Sequence, residues 1–162
     1  MKQLSKTYLQ IAKLGAVAGM RSMAAIAILS DYLAKTDPKP LEDTPLALLK
    51  TSAATTTLKV AAAGEMLADK MPFTPARISP PPLLWRVLWG ALLGVALTFQ
   101  RREPDRLAAA LVGGTAALVT TYLAYHLRVQ AGERLHIPDP LLGVAEDALV
   151  IALSTNVARE IE

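Results

Sequence analysis

No cysteine occurs among the 162 residues, so the chain has no disulfide framework, no thiolate metal site and no thiol nucleophile. Cysteine usage therefore says nothing about redox compartment. Aromatic residues make up only 5%, and no stretch keeps the period-two alternation of a half-buried strand. Basic residues are spread along the chain and the net charge is only +3, which leaves nucleic acid binding without an electrostatic footprint. Walker loops, dinucleotide fingerprints, serine nucleophile elbows and paired metal histidines are all missing. No cofactor and no metal are expected, and an enzyme is the less favoured class.

What is present is apolar: 52% of residues are hydrophobic and the mean hydropathy is +0.34, high for a soluble domain of this length. Alanine, glycine, serine and threonine are abundant, the composition that lets helices approach closely within lipid. The reading is a single all-α domain, a polytopic membrane bundle of about five helices. Lys2, Lys6 and Lys13 ahead of the apolar run Leu14–Leu29 resemble a secretory signal. Arg21 at the centre of that run argues for a retained helix that buries the charge against a partner.

The expected helices are Tyr8–Leu33, Thr44–Asp69, Leu83–Gln100, Asp105–Arg128 and Asp139–Arg159, each close to the length that crosses ~30 Å of hydrocarbon at ~1.5 Å per residue. Thr44 with Pro45, and Asp139 with Pro140, read as caps followed by proline at the first helical position. The second helix, with Lys50, Lys59 and Thr55–Thr57, is the most polar. Prolines at 72, 75, 80, 81 and 82 make 71–82 a linker. Trp85 and Trp89 suit an interfacial belt. Lys and Arg divide eight against seven between the two sides, so orientation is not set by the positive-inside rule.

The first two and last two helices share a plan: glycines, a proline-bearing connection, then a glycine ahead of two acids. Gly15, Gly19, Gly64, Glu65 and Asp69 in the unit 8–70 correspond to Gly113, Gly114, Gly143, Glu146 and Asp147 in the unit 105–159. With helix 83–100 between them, the units are expected to form an inverted repeat of the kind found in small transporters.

A charge near the bilayer centre costs ~2.5 kcal/mol or more on insertion scales. Arg21, Glu65, Asp69, Glu146 and Asp147 on apolar helices therefore need partners, water or a ligand, and with Lys70 and Arg77 they form the candidate solute or ion pathway. Glu65 and Asp69 share a helical face. Ser22, Tyr122, Tyr125 and His126 are candidates to line it. A set of structural salt bridges, such as Arg21 with Glu65 or Glu146, competes evenly with that reading. Gly15-x-x-x-Gly19 and Gly90-x-x-x-Gly94 read as sites of close helix packing or dimerisation. His136 lies in a loop, too isolated for a metal ligand.

Three blocks, Gly15–Ser22 (GAVAGMRS), Gly64–Pro72 (GEMLADKMP) followed by Pro75–Arg77, and Pro138–Asp147 (PDPLLGVAED), resemble those of the bacterial and plant membrane proteins grouped as domain of unknown function 4126. The resemblance spans about Ile11 to Leu153. It implies a multi-helix membrane protein and supplies no activity or catalytic residue. The expected function is a small transporter or channel-like protein, in the bilayer of a bacterial inner membrane and homo-oligomeric. The alternatives are a structural or accessory membrane protein with permanently paired charges, and a membrane-embedded enzyme using an acid and His126.

Overall fold

The computed structural model describes residues 2–35, 44–68, 78–101 and 105–161. Six α-helices occupy them: α1 (Lys2–Met20), α2 (Ser22–Lys35), α3 (Ser52–Ala68), α4 (Pro80–Arg101), α5 (Arg106–Leu135) and α6 (Asp139–Ile161), with a 3-10 helix at Pro45–Lys50. The all-α expectation holds, and no strand occurs among the described residues.

Four boundaries differ from the sequence expectation, each for a local reason. The first segment is two helices, because the chain bends at Arg21. Thr44 has an extended backbone and makes no side-chain cap bond; Pro45 opens a 3-10 turn, and Thr51 caps α3 by accepting from the Ala54 N–H at 3.2 Å. Pro80, Pro81 and Pro82 lie inside the first turn of α4 rather than in a linker, which is possible because first-turn N–H groups have no intrahelical partner to lose. Helix α5 starts where Asp105 accepts from the Ala108 N–H at 2.8 Å. It runs to Leu135, two turns past Arg128, and stops where His136 takes a left-handed φ of 53° ahead of Pro138.

Helices α1, α4 and α5 pack through their glycines. A Cβ on Gly15 would overlap the Gly113 carbonyl, and one on Gly19 would overlap Ala117 O and the Thr120 hydroxyl. From α4, Gly90 meets the same Gly113 O and Gly94 meets Ala109 O in the same way. Both small-residue motifs thus work inside the chain, against one shared helix. The order of these contacts sets directions: α1 runs parallel to α5 and α4 antiparallel to it. The first helices of the two expected repeat units therefore point the same way, and the packing gives an inverted relation no support.

Against α6, Lys13 meets Glu160 and Arg21 meets Asp147, so α1 runs antiparallel to it. Helix α2 then lies beside Ser154, Thr155 and Ala158, so the chain turns back along α6 at Arg21. Helix α2 is mostly buried, from Ser22 to Leu33, whereas α3 rests on it and buries only Thr55 fully.

Three helices, α4, α5 and α6, are long and apolar enough to cross a membrane. Their outward faces carry exposed Leu84, Leu88, Leu111, Leu123, Leu141 and Leu149, a larger apolar surface than a monomer in water ordinarily presents. Helices α2 and α3, at 14 and 17 residues, fall short of the ~20 needed to span.

Candidate functional site

The bend at Arg21 breaks the backbone ladder. Arg21 N–H still bonds Val17 O at 2.7 Å and Ala25 N–H bonds Arg21 O at 3.3 Å, but the groups between them find other partners. Ser22 Oγ donates to Ala18 O at 3.2 Å. Gly19 O accepts from Arg86 Nη1 and from Thr121 Oγ1, each at 3.0 Å. Met20 O accepts from Arg86 Nη1 at 2.8 Å. The freed N–H groups of Ser22 and Met23 donate to the two oxygens of Glu65, at 3.2 and 2.9 Å. Buried backbone groups must be paired, most of all in lipid, and side chains from α3, α4 and α5 do the pairing here.

The charges also suit the helix ends they touch. The Glu65 carboxylate caps the positive N-terminus of α2, and the Arg86 guanidinium covers the negative C-terminus of α1. The two lie 3.5 Å apart. Arg21 itself is fully buried and donates through Nε and Nη2 to Asp147 Oδ1, at 3.0 and 2.7 Å. Glu146 lies 3.9 Å from Arg21 and 3.5 Å from Arg128. Arg128 in turn makes a two-pronged pair with Asp139 at 2.7 and 2.8 Å. Beside this end of the network, α1, α5 and α6 enclose an open apolar cavity of about 260 Å³ whose wall includes Glu146 and Arg128.

A model of the family described as domain of unknown function (DUF4126) matches residues 9–158. The chain belongs to this family. No curated protein and no solved structure matches it.

Of the residues expected to form the site in this DUF4126 chain, Arg21, Ser22, Glu65, Glu146 and Asp147 converge on the bend. Asp69, Lys70 and Arg77 lie outside the described residues. Tyr122, Tyr125 and His126 form an aromatic cluster on α5, His126 stacked on Tyr122 and edge-on to Tyr125. Among the described residues, no hydrogen bond or ion pair joins them to the charges. No group of three or more His, Asp or Glu converges as a metal site among the described residues either.

Arg86, Arg128 and Asp139 were not expected in the site. A signal for the two arginines was available: each is a cation beside an apolar stretch of its helix, the same feature that singled out Arg21. The expected bounds Leu83–Gln100 and Asp105–Arg128 put both near helix ends, and α4 starts earlier and α5 ends later than those bounds.

Proposed function

We propose that this DUF4126 protein is an integral membrane protein that passes a small ion or polar solute beside the interrupted helix, with Arg21, Glu65, Glu146 and Asp147 along the route. One observation carries the reading: a helix breaks among apolar helices at a buried arginine, and five of the six helices bring charges or hydroxyls to the break. In membrane transporters, discontinuous helices place their exposed ends at the site where solute and coupling ion bind. Here Glu65 and Arg86 occupy those ends, so a solute or a proton would compete with the chain's own charges. The exposed leucine faces of α4, α5 and α6 support the lipid bilayer as the surrounding medium; on this reading the bilayer is a bacterial inner membrane and the protein is a homo-oligomer.

A structural role is the competing reading, favoured by the side chains that pair the Gly19 and Met20 carbonyls and the Ser22 and Met23 N–H groups, and by the double hydrogen bond from Arg21 to Asp147. The two separate on water access. With no native cysteine, single cysteines at Ala124, Leu142 and Ala145, which line the cavity beside Glu146, report cleanly on a membrane-impermeant thiol reagent. Labelling of these positions in intact membranes supports a solvated route. Complete protection, in protein that labels once unfolded, removes the transport reading and leaves the structural one.

A further inference from the structure

The even division of Lys and Arg between the two sides rests on an unbroken first helix, which would carry Lys2 and Lys6 to one side and Lys35 to the other. The bend at Arg21 removes that separation. Helix α1 is antiparallel to α6 and α2 turns back along α6 towards Thr155 and Ala158, so the start of α1 and the end of α2 lie at one end of the bundle. Helix α3 begins there too, since Thr55 faces Ser30 at 2.9 Å while Glu65 reaches Ser22. Gly94 packs against both Ile11 and Ala109, which brings the end of α4 and the start of α5 to the same place, and Glu160 near the end of α6 meets Lys13. This end collects Lys6, Lys35, Lys50, Arg101, Arg106 and Arg159, after Lys2 at the start of α1. The opposite end, with the bend and the turn between α5 and α6, holds Arg21, Arg86, Arg128 and Arg134. Lys39, Lys70, Arg77 and Arg102 lie outside the described residues; by sequence, two fall between elements that meet at each end. At the opposite end Arg21 is committed to Asp147, Arg86 to the Gly19 and Met20 carbonyls, and Arg128 to Asp139. At the basic end Lys6 and Arg159 are exposed and make no hydrogen bond or ion pair among the described residues, and Arg106 lies over the Phe99 ring at 3.8 Å.

We propose that the basic end faces the cytoplasm, its cations seated among the anionic phospholipid headgroups of that leaflet. Membrane insertion keeps Lys and Arg near helix ends on the cytoplasmic side, and acids contribute little to the choice. The negative surface potential of that leaflet then attracts basic residues lying within a Debye length of it. The orientation also puts the cavity beside Glu146, which lies at the opposite end, on the far side from the cytoplasm. It rests on the bilayer reading and is independent of transport.

The test places single cysteines in the cysteine-free chain at Ala34 and Leu48 on the basic end, and at Gln130 and Glu133 on the opposite one, all exposed positions. In spheroplasts of a bacterial host, an impermeant maleimide should label positions 130 and 133 and spare 34 and 48; inside-out vesicles should give the converse. Labelling of the basic end in spheroplasts overturns the proposal. Release of the chain by carbonate washing of the membranes would instead remove the bilayer reading, and this orientation with it. The headgroup contact is read in nanodiscs, as the unfolding midpoint followed by Trp85 and Trp89 fluorescence. Phosphatidylglycerol in place of phosphatidylcholine should raise the midpoint of the full-length protein, an increase that high salt reduces. Lys6→Gln combined with Arg159→Gln should lose most of the increase, Lys6→Arg with Arg159→Lys should keep it, and Arg134→Gln at the opposite end should leave it intact. No increase with phosphatidylglycerol, or one that the double Gln variant retains in full, overturns the proposal.

Discussion

The half of the molecule where α1, α4 and α5 cross and the end where α1 bends into α2 are held by opposite means. In the first, glycines bring backbones so close that no Cβ fits between them, and cohesion comes from many weak dispersion contacts. In the second, Arg21, Arg86, Glu65 and Asp147 hold a broken helix together through directed hydrogen bonds. Close packing tolerates small losses anywhere, because each contact is small. A buried charge network does not, because removing one member leaves its partner charged and desolvated.

The largest effect should come from Asp147→Ala, which removes the doubly hydrogen-bonded partner of the fully buried Arg21 and should cost about 3–5 kcal/mol, read as loss of monodisperse folded protein and a lower unfolding midpoint. Replacing both partners, Arg21→Met with Asp147→Leu, should recover most of that loss; a double variant no better than the single would show that Arg21 acts through the backbone of the bend and blur the contrast. Gly113→Val comes next. Its side chain would press on Gly90 O, and overpacking of this kind costs about 1–3 kcal/mol, measured by the same unfolding assay. A neutral result would mean that the glycine-packed half yields more easily than its contacts imply. Glu65→Gln keeps an oxygen for one of the two N–H groups but removes the charge at the α2 N-terminus, at a cost of about 1–2 kcal/mol. The smallest effect should be a gain: Gly64 faces open space, so Gly64→Ala should stabilise α3 by up to about 1 kcal/mol. Destabilisation there would reveal a neighbour pressed against that face.

Much of this comparison was legible in the residues. Gly15, Gly19, Gly90 and Gly94 announced close packing through their spacing, and Arg21, Glu65, Glu146 and Asp147 stood out because charge on an apolar helix demands a partner. Arg86 and Arg128 did not stand out, because the prolines up to position 82 and the polar run after Arg128 place both near the expected ends of their helices. Prolines at 80–82 fit the first turn of α4, and the polar run after Arg128 continues α5, so each arginine sits well inside its helix. The bend was hidden for another reason: position 21 is neither glycine nor proline, the residues that usually mark a break.

The sequence by itself determined an all-helical chain, the family it belongs to, the glycines of close contact and the charges that need partners, because periodicity, spacing and desolvation are properties of the local chain. Only the tertiary structure decided that Arg21 takes Asp147, that Glu65 caps α2, and that α1 and α5 run the same way. Pairing depends on which helix faces which, and on where a broken backbone leaves its N–H and C=O groups, and both are settled by residues far apart along the chain.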